Sequence, residues 1–245
     1  MPDALVAVLA SGEGTTTEAL MRACLDGEIG CQVGLVISSR ESAGVLRRVA
    51  AVDREYSSST ATACIGRRSH PASDGKQLRP GDQTTAEAAA IGQLLVDGGF
   101  ELVVLMGYLK RVAAGLVDTF GWRRGFTSPY QARMLNIHPG PLPETKGLYG
   151  IEVQRVVLES SLGYAAHVVH VVAEDYDDGP VVFEHRTKVL ATDTPATLSE
   201  RVKLLQRTEI PHDIGVFARE QRRYAKSASA GAGHEGLIPQ RIGAG

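Results

Sequence analysis

Along the first half of the chain, short apolar runs alternate with longer stretches of mixed apolar and polar residues. "ALVAVLA" (4–10), "QVGLVISS" (32–39), "ELVVLMG" (101–107) and "RMLNIH" (133–138) are rich in Val, Ile and Leu and read as strands buried on both faces. Between them, 16–27, 42–52, 84–99 and 111–120 carry apolar residues at helical spacing, the first closed by Gly27 and the third stopped by glycines. Alternation of this kind predicts an α/β fold with a doubly wound, mostly parallel, Rossmann-like sheet. After residue 160 the rhythm changes. Two strand-like runs, 164–174 and 180–190, follow each other closely and predict an antiparallel edge. Thr194 as N-cap and Pro195 at the first helical position then open a helix reaching 225, which Pro211 is expected to bend or restart.

Three segments lack either period. Residues 57–83 are polar and long for a connection, 121–132 read as a surface loop carrying Trp122, and 227–245 read as a disordered small-residue tail. The expected organisation is one domain over 1–226, with a phosphate-binding half to about 132 and a catalytic half from 133. A hydrophobic fraction of 43% and a charged fraction of 22% fit a soluble globular protein. The net charge of −2 offers no general basic field for nucleic acid or an anionic membrane. No apolar run approaches the roughly 18 residues of a membrane span, and the start lacks the basic residues of a signal peptide. Cys24, Cys31 and Cys64 are scattered without metal spacing, so reduced thiols and a cytoplasmic location are expected.

Candidate chemistry gathers at three places. In "LASGEGTTTEAL" (9–20), Gly12 and Gly14 let backbone N–H groups approach an anion at a helix amino terminus. A dinucleotide fingerprint would need a third glycine where Thr17 stands, so a monophosphate held by Gly14, Thr15 and Thr16 fits better, against the alternative of a ligand-free tight turn. Glu13 must then point away. In "RMLNIHPGPLPETKGLYG" (133–150), Asn136 and His138 project from one side of a strand end, and Pro139, Pro141 and Pro143 stiffen the loop after it. The acidic turn "EDYDDGP" (174–180) supplies Asp177 or Asp178 as partner for a histidine in acid/base work. His167 and His170 stand on the strand before it, on opposite faces.

In this order, "VLASGEGTTTEAL", "LVVLMGYLKRV", "LNIHPGPLP-x-x-KGLYG", "HVVAEDYDDGPVV" and "DTPATLSERV" resemble the folate-dependent formyltransferases, and among them the phosphoribosylglycinamide formyltransferase group of purine biosynthesis. The likeness covers roughly residues 4–224 apart from the two loops. It implies a one-carbon transferase that moves a formyl group from 10-formyltetrahydrofolate to the amine of glycinamide ribonucleotide, with no metal. Carried over, Asn136, His138 and Asp177 are the catalytic trio, and Gly14, Thr15 and Thr16 form the phosphate loop, where the family usually has asparagine at Thr16. Leu109, Lys110 and Val112 with Ala173, Glu174, Asp175 and Tyr176 hold the folate, and His170 lies behind the aspartate. Lys203 and Gln206 meet the ribose, the second replacing a usual acid. Arg79 is the candidate substitute for an arginine the family often places ahead of 84–97.

The chemistry so implied has the Asn136 amide and a protonated His138 stabilising charge on the formyl oxygen, and Asp177 moving the proton. Partners would be small molecules only, on a monomer or homodimer. Two other readings stay open: transfer to another amine such as an amino-sugar nucleotide, and a non-catalytic Rossmann-like binding module.

Overall fold

A computed structural model describes residues 3–72 and 78–232. In chain order the elements are β1 (Ala4–Ala10), α1 (Thr15–Leu25), β2 (Cys31–Ser38), α2 (Gly44–Tyr56), β3 (Ala61–Cys64), α3 (Thr85–Asp97), β4 (Leu102–Leu105), α4 (Ala114–Phe120), β5 (Met134–His138), α5 (Ile151–Glu159), β6 (Tyr164–Val171), β7 (Val181–Lys188) and α6 (Pro195–Ala232). The strands form one sheet in the order β3-β2-β1-β4-β5-β6-β7. β1 to β5 run parallel, whereas β6 is antiparallel to β5 and to β7. The expected doubly wound sheet with an antiparallel edge is therefore present.

The two-residue strand period sorts the core into two layers. Val6, Val8 and Ala10 pack with α1, α2 and α6, while Ala7 and Leu9 pack with α3 and α4. Burial on both faces is why these strands read as unbroken apolar runs. Winding reverses between β1 and β4, and the carboxyl ends of strands at such a switch point leave room for ligands. α3 begins where the sequence says it should. Thr84 Oγ1 accepts from Glu87 N at 2.9 Å while the Glu87 carboxylate accepts from Thr84 N at 2.7 Å.

Several segments depart from expectation. The stretch 57–83 contains β3, a short, half-exposed edge strand whose Ala-Thr-Ala-Cys lacks the branched pattern of a buried one. Its later part turns back on 111–113: Arg111 N donates to Gly81 O at 2.8 Å, and α4 therefore starts only at Ala114. α5 has no counterpart in the sequence reading, because "IEVQRVVLE" is rich in β-branched residues and its N-cap, Gly150, offers no side-chain cap. In 121–132, Trp122 stands edge-on to Phe126 at 5.6 Å and Tyr130 packs on Phe217.

α6 is the largest correction. It runs for 38 residues straight through Pro211 and on into 227–232, part of the segment expected to be disordered. Ile210 and Ile214, both fully buried, hold it against the sheet on either side of the proline. That burial outweighs the one backbone bond that proline cannot donate. Residues 233–245 lie outside the described part of the chain. Among the described residues no helix is long and apolar enough to cross a membrane.

Candidate active site

The end of β5 carries Asn136 and His138 on one side and Ile137 on the other, where it joins the core layer of α1 and α6. The turn after β6 supplies the acid. It packs so tightly that a Cβ at Gly179 would lie 1.8 Å from Val171 O, which leaves glycine as the residue that fits. Asp177 is one of two non-glycine residues with positive φ among the described residues, at 52°. That backbone state costs about 1 kcal/mol even for Asp and aims the carboxylate inward. Asp178 instead faces outward and pairs with Lys146. The choice between the two acids is thus made by the turn.

The three side chains converge. His138 Nδ1 lies 3.4 Å from Asp177 Oδ2, and Asn136 Nδ2 lies 3.4 Å from Asp177 Oδ1. Gly147 N donates to Asp177 Oδ2 at 3.0 Å. His170 stands behind, its Nδ1 donating to Val171 O at 3.0 Å and its Nε2 accepting from Asn136 Nδ2 at 3.0 Å. On the far side of His138, the Thr145 hydroxyl donates to Pro141 O at 2.7 Å and so accepts from His138 Nε2 at 2.9 Å. Gln154 Nε2 braces the following turn through Pro139 O at 2.7 Å.

Electrostatics follow from burial. The His138 ring is 3% exposed, and desolvation pushes its pKa below the ordinary value although Asp177 pulls it up. With Nε2 on the Thr145 oxygen and Nδ1 toward the Asp177 carboxylate, the ring has an acceptor for each of two protons, whereas its dryness opposes the charge that the sequence reading expected. Burial alone would raise the Asp177 carboxyl; the neighbouring His170 and His138 rings and the Gly147 N–H outweigh it and hold the group below its usual range. Among the described residues no cluster of three or more His, Cys, Asp or Glu side chains is placed to hold a metal ion.

Two openings flank this group. A narrow slot of about 30 Å³ is lined by Lys110, Arg111, Val112, Ala173, Glu174 and Tyr176, with Asn136, His170 and Asp177 at its inner end. Across its mouth Arg111 donates to Glu174 O at 3.0 Å. A wider cleft of about 480 Å³ lies on the α1 side, lined by Gly14, Thr15, Thr16, Lys203 and Gln206. Gly14 is N-cap of α1 at φ 76°, and no side chain caps that helix start. A Cβ on Gly14 would strike Val45 at 2.5 Å, whereas one on Gly12 would meet nothing, so only the second glycine is sterically required. The Glu13 carboxylate lies against Gly44 at the start of α2, and the residue is itself part of the cleft wall.

Most of the expected site residues meet at these openings. Leu109, Asp175 and His138 line neither opening: the first two are exposed, and His138 is buried beside Asp177 and Thr145. Lys110 reaches the slot with its stem only, since its ammonium pairs with the buried Glu87. Arg79 also lines neither opening, and no described residue of 57–83 reaches the wide cleft. Arg48, Glu200 and Arg207 do line it, and Thr145 holds His138; the sequence reading missed all four. The signal for two of them was present: 200, 203 and 207 fall on one helical face.

A doubly wound sheet ending in an amide–imidazole–carboxylate group between two openings defines a two-substrate group transferase. Within that class, the chain belongs to the formyl transferase family, whose sequence profile matches residues 4–214. It is 32% identical over 223 residues to the chloroplastic phosphoribosylglycinamide formyltransferase of Arabidopsis thaliana, covering 89% of this chain and 67% of that one. It is 30% identical over 213 residues to the trifunctional purine biosynthetic protein adenosine-3 of Gallus gallus, covering 87% of this chain and only 18% of that protein's length. Among solved structures it resembles glycinamide ribonucleotide transformylase 1 of Symbiobacterium toebii, with a TM-score of 0.72, 30% identity and 89% coverage of both chains.

Proposed function

We propose that the chain transfers the formyl group of 10-formyltetrahydrofolate to the amine of glycinamide ribonucleotide. The observation that carries this reading is the position of Asn136, His138 and Asp177 between a narrow slot and a wide cleft with a helix amino terminus on its wall. At about 30 Å³ the slot must widen to take a flat heterocycle between the runs 110–112 and 172–176, with an amide and a carboxylate at its closed end. Seating it requires the Arg111–Glu174 contact to open. The cleft fits a phosphorylated acceptor, with Gly14, Thr15 and Thr16 at its anionic end and Lys203 and Gln206 beside the sugar.

When bound, the folate supplies a formyl group on a nitrogen able to leave as an amine. The second Asn136 N–H is spent on a long 3.4 Å contact with Asp177, so a carbonyl oxygen in the slot takes it over readily. His138 keeps a proton on Nε2 for the same oxygen once it leaves Thr145; a neutral imidazole suffices for this donation. Asp177, ionised, accepts the proton lost by the attacking amine and returns it to the departing nitrogen. Because its donors are fixed before charge develops, the site favours the transition state over the ground state.

The test is spectroscopic. Purified protein is expected to convert 10-formyltetrahydrofolate to tetrahydrofolate only when glycinamide ribonucleotide is supplied. Turnover with water alone would make it a deformylase. Turnover with an amino-sugar nucleotide but not with glycinamide ribonucleotide would move the acceptor, and inertness toward every amine would leave a binding module.

A further inference from the structure

The wide cleft carries three cations in different electrostatic conditions. Arg48, from α2, is tied down: its Nε donates to Glu13 O at 2.8 Å and its Nη1 to Glu18 at 2.6 Å. Lys203 shares its ammonium with Glu200 at 2.7 Å. Arg207, one helical turn beyond Lys203 and partly buried, lines this cleft and also a neighbouring opening that holds Asp26 and Glu28, and it has neither a hydrogen-bond nor an ion-pair partner among the described residues. Glu200, already held by Lys203, feels the Arg207 charge only through space. The neighbouring Gln206 is only 9% exposed, and its amide likewise has no protein partner among those residues.

A guanidinium keeps its charge at every working pH, and partial burial without a contacting counter-ion is costly. Here the uncapped start of α1 lines the same cleft, itself favouring negative charge. One helix terminus and one fixed cation match a group with two negative charges better than a group with one.

We propose that Arg207 is the specificity-determining residue of the acceptor cleft, pairing with a terminal phosphate monoester in its dianionic form so that phosphodiesters, sugar-nucleotide diphosphates among them, are disfavoured. Arg48 is the positioning residue: by holding Glu13 O it keeps the loop in the shape that presents the α1 amides. The proposal rests on the reading that this cleft receives the acceptor, and it selects between the acceptor chemistries left open by the sequence.

Isothermal calorimetry on the full chain at constant ionic strength tests it, with methyl phosphate and dimethyl phosphate as probes. The monoester is expected to bind, more tightly at pH 8 than at pH 6, as its second ionisation near about pH 6 completes the dianion. Arg207→Gln is expected to weaken it about tenfold or more and to flatten that pH dependence, with Arg207→Lys intermediate. The acceptor KM should rise by a similar factor, more than any fall in kcat. Equal affinity of wild type and Arg207→Gln for methyl phosphate would overturn the proposal, as would equal binding of the two esters by wild type. The ester comparison needs neither turnover nor a variant. A protein that binds the monoester through Arg207 yet fails to use glycinamide ribonucleotide would overturn the proposed activity and leave this assignment standing.

Discussion

The slot and the wide cleft flank the same strand end but are finished to different degrees. At the inner end of the slot and behind it, the groups assigned to the chemistry already have partners: Asn136 on His170, His138 on Thr145, Asp177 on Gly147 N, and nearby Lys110 on Glu87. In the cleft, Gln206 and Arg207 have none among the described residues. Groups that do chemistry are held by the protein before any ligand arrives, and groups that bind wait for the ligand to complete them.

The largest effect that could break this contrast comes from the slot side. His138→Ala should lower kcat on the order of 100- to 1000-fold, about 3–4 kcal/mol in the barrier, measured with both substrates saturating and a thermal melt as the folding control. Retention of about a tenth of the activity would place the reacting group elsewhere.

His167 sharpens the comparison from the other direction. It shares the cleft's want of partners, since both ring nitrogens lack one, but it is fully buried and lines neither opening. It stacks on His185 at 5.0 Å, whose Nε2 faces Asp213 at 2.9 Å and whose Nδ1 faces Glu209 at 3.8 Å. Burial, with a smaller push from His185, lowers the His167 pKa from 6.5 to about 4. The unfolded chain therefore binds this proton first. Full stability is present above about pH 6.5 and is lost as pH falls toward 4, by roughly 3 kcal/mol at most. His167→Phe should lose that part of the slope in denaturant titrations at pH 7, 5.5 and 4.5, while turnover at pH 7.5 changes little. Parallel stability–pH curves for the two proteins would show that the unpartnered ring is not the cause.

The smallest effect belongs to Gln206→Ala. Removing about one neutral hydrogen bond to the acceptor should raise its KM about fivefold and leave the donor KM within about twofold. A change in the donor KM alone would mean that the residue serves the other opening.

Much of this contrast was legible in the sequence, and the rest was hidden for identifiable reasons. The proposed catalytic trio announces itself because a strand ending in Asn-Ile-His before prolines and an acidic turn closed by Gly-Pro are local patterns. α3 is equally plain from Thr84 and Glu87. α5 was missed because Val153, Val156 and Val157 carry strand-like propensity, and only packing of Val153 and Val157 into buried positions makes that segment helical. Thr145 gave no signal as a site residue, since its role arises from loop closure, and Arg207 showed only its helical spacing from Lys203, because the approach of α6 to α1 is not visible in sequence. The desolvation that opposes charge on His138 was hidden, because a neighbouring aspartate is visible in sequence and the dryness around the ring is not.

α6 places the cleft-facing residues 199–207 and the buried Ile210, Ile214 and Phe217 on one continuous rod. Occupancy at the cleft cannot stay a local event on such an element. By mass action, a bound acceptor withdraws the whole helix from the unfolding equilibrium and so lends its affinity to the global fold. A core substitution at Phe217 lowers the stability from which the helix starts, and at equal affinity a saturating ligand of the cleft adds the same increment to that variant as to the wild type.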